Sequence, residues 1–325
     1  MTFYTWYGMT YNRVIIIGNG FDLDLGLKTS YKNFYDSDFW PLKGVTSIES
    51  PLAYYMHKQT NINSWFDLEN ILYSYSKNGQ TPFLRTSKKL AISTDNAIKE
   101  DKLFYSVLKD SLENFIRSQS NSPINKSSVS SIVLSNLIRY SNLDKIFTFN
   151  YTDLSTYAQQ ICGNSIEYQH VHGACADSSS IIGVSDSYKL RQGYEFLYKT
   201  SSKHYKSSNV RYALQNSKDV VFFGHSLGEQ DYHYFQDFFR RQCRDDMTDN
   251  DKCKITFFTK DDDSRLKLIS QLRSMNDGRV NYLYDCNDLQ FIHTNNVGSK
   301  LDSFIKHLEN TNYREIAKQI SNLMG

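Results

Sequence analysis

The 325-residue sequence predicts an α/β protein with a doubly wound, mostly parallel sheet and a helical insertion after its first βα unit. Two observations carry this. Short β-branched or aromatic apolar runs alternate, in the second half of the chain, with helix-length segments, and that alternation builds parallel sheets covered on both faces. Between the first run and the rest lies a stretch, about residues 41–141, with helical periodicity and no strand signal.

Taken in order, residues 1–12 read as an aromatic N-terminal extension and 13–325 as one domain carrying the insertion. Arg13–Ile17 is an apolar β-branched run ended by Gly18, the pattern of a strand buried on both faces. Gly18-Asn19-Gly20 reads as a tight turn, and Asp22–Phe39 as a loop leading into a helix. In the insertion, Ser64 is placed to cap a helix with Trp65, Leu68, Ile71, Leu72 and Tyr75 on one face, stopped by Lys77-Asn78-Gly79. Leu103, Phe104, Val107, Leu108, Leu112, Phe115 and Ile116 follow amphipathic helical spacing. Val129, Ile132, Val133 and Leu137 predict another helix, and the Ser/Asn-rich stretch 118–131 a loop. Further strands are expected at Lys145–Phe149, Glu167–Val171, Ile181–Val184, Val220–Phe223, Lys254–Phe258 and Val280–Tyr284. Helices are expected at Glu229–Arg241, Asp262–Met275 and, in two pieces, Ser299–Met324.

Composition excludes several classes. Lys and Arg (37) nearly balance Asp and Glu (35), so the net charge of +2 gives no strong nucleic-acid signal. No run of about 18 apolar residues predicts a membrane span. Aromatics at 14% with four prolines speak against disorder. Five cysteines without a CxxC pair fit reduced thiols better than a disulfide framework or a zinc ribbon, and no secretory leader is visible, so a cytoplasmic location is expected.

Four motifs fall at the C-terminal ends of expected strands, the edge where open α/β sheets bind ligands. In Gly18-Asn19-Gly20-Phe21-Asp22 the glycines let backbone N–H groups approach a phosphate. Leu23 replaces the third glycine of the dehydrogenase fingerprint, and a turn needing only small residues fits equally well. In Thr148-Phe149-Asn150-Tyr151-Thr152, Asn150 can hold a water or a ribose hydroxyl, or simply cap a turn. In His170-Val171-His172-Gly173, His172 at the strand end is a candidate general base. It could equally be a structural histidine, and a zinc site with His170 and Cys175 matches no standard spacing. Gly224-His225-Ser226-Leu227-Gly228 is a literal G-x-S-x-G, with Asp285 or Asp288 and then His293 available in triad order. Its rival is a glycine-serine turn that binds a nucleotide's ribose or phosphate.

Together these motifs, in this order, resemble the sirtuin NAD-binding fold. The fuller wording, GNGFDLDLGLKTSYKNF, WFDLE over residues 65–69, FNYTDL, HVHG followed by IIGV, and FFGHSLGEQDYHYF, resembles the AbiH family of bacterial abortive-infection proteins over residues 13 to 240. The resemblance implies phage defence and, through the sirtuin-like relation, cleavage of NAD as substrate, with no metal. Carried over, it makes His172 the general base and places Asn150 by the nicotinamide ribose. The carry-over also falls on Gly18, Gly20, Gly224 and Ser226; with Asn19, Phe21, Asp22, Thr148 and Asp231 these make the candidate NAD-binding set. The four-cysteine zinc module of sirtuin deacylases is absent, which argues against deacylation, and Thr152 stands where sirtuins have Asp. Asp22, Glu69 and Asp231 belong to the AbiH-like wording without a sirtuin role, and a metal-dependent activity built on them is one rival. A nucleotide-sensing module and a serine esterase using Ser226 are the others. A lethal NADase implies restraint, hence a homo-oligomer or a partner defence protein and a phage-derived trigger.

Overall fold

The computed structural model describes residues 13–45, 49–60, 67–78, 94–120, 122–140 and 145–324. The extension 1–12, Ser64, Trp65, Phe66 and Gly79 lie outside the described residues. The chain divides into two compact units. One holds Met1–Leu27, Pro123–Val171 and Ser208–Gly325; the other holds Lys28–Ser122 and His172–Ser207.

The first unit is built on six parallel strands: β1 (Val14–Ile17), β2 (Lys145–Thr148), β3 (Gln169–His170), β4 (Asp219–Phe223), β5 (Lys254–Thr259) and β6 (Asp288–His293). Their order is β3-β2-β1-β4-β5-β6. The chain therefore builds outward from β1 in one direction and then restarts beside β1 in the other. Successive side chains on a strand point to opposite faces, and the sequence uses both. Val14, Ile16, Val220, Phe222, Ile255 and Phe257 pack beneath one set of helices: α8 (Val210–Gln215), α9 (Tyr232–Arg241), α10 (Asp262–Met275) and α11 (Val280–Cys286). Ile15, Ile17, Val221, Phe223 and Phe258 face α1 (Asn19–Asp24), α6 (Val129–Tyr140), α7 (Leu154–Cys162) and α12 (Gly298–Met324). Part of the aromatic excess is a ladder across this sheet. Phe222, Phe257 and Phe291 are register partners with centroids 4.9 and 5.3 Å apart, and Phe223 stacks on Phe258 at 4.6 Å on the other face.

The second unit carries α2 (Tyr31–Asp36), α3 (Pro51–Thr60), α4 (Leu68–Asn78) and α5 (Thr94–Ser120). Asp101, fully buried on α5, accepts from Ser50 Oγ (2.7 Å), the Leu52 amide (2.8 Å), Tyr75 OH (2.5 Å) and Tyr194 OH (2.7 Å). One carboxyl thus ties together α3, α4, α5 and the segment after residue 172. The helical grouping differs from the 41–141 insertion read from sequence: α6 belongs with the sheet, and 172–207 joins the helices.

Several elements depart from expectation. Asp22–Phe39 is not a loop: α1 and α2 form there, the latter capped by Ser30, whose side chain accepts from the Asn33 amide. The stretch 118–131 contains the end of α5 and the start of α6. Ile181–Val184 is buried coil whose Val184 exchanges backbone bonds with Leu197 and Lys199. Val280–Tyr284 is helical, because Val280 and Leu283, three residues apart, are its buried positions. The last strand is instead β6, and α12 runs unbroken. Asp67 caps α4, accepting from the Asn70 amide at 3.1 Å.

Candidate functional site

In sheets of this kind, ligands bind outside the carboxyl ends of the strands, at the point where strand order reverses. Here that point lies between β1 and β4, and two of the four motifs meet there. The Gly18 amide donates to Phe223 O and the Gly20 amide to Gly224 O, both at 2.9 Å, so the two turns continue the β1–β4 pairing beyond the strands. The approach is so close that a Cβ on Gly18 would lie 2.5 Å from the His225 Cα, and one on Gly20 2.7 Å from the Gly224 Cα. Gly224 itself has φ +63°. Backbone packing between the turns therefore accounts for all three glycines.

The second motif closes the site from β2. The Asn150 amide nitrogen Nδ2 donates to Gly18 O (3.1 Å) and to Asp22 Oδ1 (2.9 Å). Gly18 O can only accept, which fixes the amide orientation and leaves Oδ1 outside these bonds. The Asn150 backbone is held as well: its N–H donates to Thr148 Oγ1 (3.1 Å), and its carbonyl accepts from His170 Nδ1 (3.1 Å). Since a carbonyl only accepts, His170 carries its proton on Nδ1. Thr152 Oγ1 donates to Asp22 Oδ2 at 2.7 Å. Asp22, Thr148, Asn150 and Thr152 are all buried.

Burial pushes the Asp22 carboxyl up from 3.8 to about 7, against the hydrogen bonds from Thr152 and Asn150, which favour the charged form. Between about pH 4 and pH 7 the folded protein then holds a proton that the unfolded chain has released. The stability this group contributes is full below pH 4 and is lost as pH rises through 7, by about 1.4 kcal/mol per pH unit at most. Asp22→Asn cannot ionise and should flatten this decline. Thermal midpoints of wild type and variant measured from pH 5 to 8 should diverge, the variant becoming the more stable; parallel curves would contradict the titration of Asp22.

The fourth motif contributes a histidine that its G-x-S-x-G reading passes over. The Leu227 amide donates to His225 Nδ1 (3.0 Å), so Nε2 carries the proton and faces Asp231 Oδ2 at 3.7 Å. The ring sits edge-on to Phe149 (4.4 Å) and Phe235 (5.0 Å). His225 was legible only as the neighbour of Ser226. Ser226 is exposed, and the left-handed residues of this segment are Gly224 and Leu227 rather than the serine. His293 ends β6, two strands from β4 and so about 10 Å away. Asp288 begins β6, at the opposite edge of the sheet. This is not the geometry of a nucleophile elbow.

The remaining site candidates are placed as follows. Phe21 is core, edge-on to Phe223 at 5.0 Å, and Asn19 opens α1 half-buried. His172 stands two residues beyond the end of β3 rather than within it. It is buried, groups with the helical unit, and its carbonyl accepts from the Ile181 amide at 2.7 Å. Glu69 also lies in that unit, 3.2 Å from Lys199. Among the described residues no three His, Cys, Asp or Glu side chains are grouped to hold a metal, and no helix is long and apolar enough to cross a membrane.

A six-stranded parallel sheet with helices on both faces and an order reversal beside β1 defines a Rossmann-like α/β protein. The family model described as bacteriophage abortive infection AbiH matches residues 14–250, and the chain belongs to that family. No curated protein matches it.

Proposed function

We propose that this abortive-infection protein takes NAD at the β1/β4 reversal and hydrolyses its nicotinamide–ribose bond. The observation that carries the reading is the convergence at one switch point of two glycine turns and an Asn150 amide fixed with its oxygen outside the anchoring bonds. In the proposed reaction water adds to the ribose carbon, neutral nicotinamide leaves through an oxocarbenium-like transition state, and the proton of the water passes to a base. Asn150 Oδ1 positions the water; the base that the sequence resemblance implies is His172, which groups with the helical unit. Gly18, Asn19 and Gly20 border the diphosphate, the Gly18 and Gly20 amides being already bonded to Phe223 O and Gly224 O; Gly224 and Ser226 take the adenosine-side ribose.

The test is nicotinamide release from NAD by the purified full chain, with and without phage lysate. Asn150→Ala should lower the rate about 10²-fold in a chain that still folds, its unfolding midpoint lowered by the loss of the bonds to Gly18 O and Asp22. NAD that binds and stays intact in wild type would make the protein a nucleotide sensor; NAD that neither binds nor breaks would sink the proposal.

A further inference from the structure

We propose that Asp22 is the positioning residue for Asn150: its carboxyl fixes the amide plane that the site presents. The functional half of this inference rests on the NAD reading; the structural half does not. Asn150 Nδ2 has two acceptors, Gly18 O and Asp22 Oδ1. Gly18 O already accepts from the Phe21 amide at 2.9 Å, so it is a shared and weaker anchor. One bond alone lets the amide swing about its last torsion; two bonds from one nitrogen fix its plane. Asp22 is itself fixed, because Thr152, two residues beyond Asn150, donates to its other oxygen. The carboxyl thus bridges both ends of the Asn150-Tyr151-Thr152 segment.

The choice of residue supports this. An acidic side chain in the first turn of a helix ordinarily serves the free amides of that turn. Asp22 instead turns both oxygens away from α1, to the loop after β2. Burying a carboxyl is costly, and its retention here is explained by what it holds. The groups facing it are neutral: Asn150 and Thr152 from that loop, and the buried Tyr157 phenol from α7, whose own ionisation Asp22 helps to suppress.

Two readouts test the inference on the intact chain. The first is proton exchange of the Asn150 side-chain amide by NMR, the signal being assigned by its absence in Asn150→Ala. It should stay slow in wild type and in Asp22→Asn, whose carbonyl accepts in the same place, and become fast in Asp22→Leu, which fills the space without an acceptor. Asp22→Ala serves the same purpose if the leucine variant does not fold. An Asn150 amide unchanged in the leucine or alanine variant overturns the proposal. The second readout is nicotinamide release. Asp22→Leu and Asn150→Ala should each lose about 10²-fold, the double variant should lose no more than Asn150→Ala, and Asp22→Asn should stay within about threefold of wild type, because residues acting as one unit are not additive. Multiplicative losses in the double variant overturn it. If wild type releases no nicotinamide, the NAD reading falls, and amide exchange alone decides the positioning role.

Discussion

Gly224→Ala should be the most damaging single methyl group that can be added to this sheet. A Cβ at residue 224 would lie 2.4 Å from the Phe21 amide nitrogen and 2.5 Å from the Gly20 Cα and carbonyl carbon, all backbone atoms that no side-chain rotation can move aside. Its φ of +63° adds about 1–2 kcal/mol for any residue with a Cβ. Relief requires the two turns to part, which breaks the Gly20–Gly224 bond and the extension of β1–β4 pairing beyond it. We expect a loss of about 4 kcal/mol or more, or no folded protein. Gly228, in the same short motif, is the internal control. Its nearest neighbour would be Ser226 Oγ at 3.6 Å, so Gly228→Ala should change stability by less than about 1 kcal/mol. Thermal unfolding of both variants reads the contrast. Equal tolerance at the two positions would show that the turns do not pack back to back.

That contrast also marks what sequence could and could not reveal. The strands that bury both faces, β1, β2, β4 and β5, are unbroken apolar runs and were legible within a residue or two, as was α10. The edge of the sheet was not. β6 pairs only with β5, and half-exposed Asp-Leu-Gln leads its run, so its apolar signal is weak. The neighbouring Val-Asn-Tyr-Leu-Tyr has β-prone residues in alternation, yet tertiary packing selects the i, i+3 pair Val280 and Leu283 and makes a helix. β3, at the other edge, is two residues long where Glu167–Val171 was expected.

At the site, the order of motifs was legible because each ends a strand, and strand ends in a parallel sheet share one edge. Partnerships were not. Nothing in the spacing says that Asp22 reaches Asn150 and Thr152 across 128 and 130 residues, or that His225 rather than Ser226 is the buried side chain of its motif. The glycines carried two readings, phosphate approach and close packing. The structure supplies a reason for the second at Gly18, Gly20 and Gly224, whose amides donate to Phe223 O, Gly224 O and Phe258 O.

Glu69→Ala should unfold or loosen the helical unit, at a cost of about 3–5 kcal/mol. Glu69 lies in the first turn of α4, and its carboxylate stands 3.2 Å from the ammonium of Lys199, whose side chain is only 3% exposed. Removing the carboxylate takes a close partner from a buried cation that the Asp67 carboxylate also faces, and breaking such a pair costs more than the pair itself is worth. The same reasoning predicts rescue. Glu69→Leu combined with Lys199→Met removes both charges, fills similar volume and should recover most of the lost stability, a coupling that single variants cannot imitate. Urea unfolding of the two singles and the double measures it; additive losses would mean that the pair is not an energetic unit. Protection against phage then separates scaffold from chemistry. Asp67, next to the pair, already has a structural task as the cap of α4. If Glu69 is likewise a fastener, the refastened double variant protects cells as wild type does. A double variant that folds fully but no longer protects would place Glu69 in the chemistry of defence, in the unit that also holds His172.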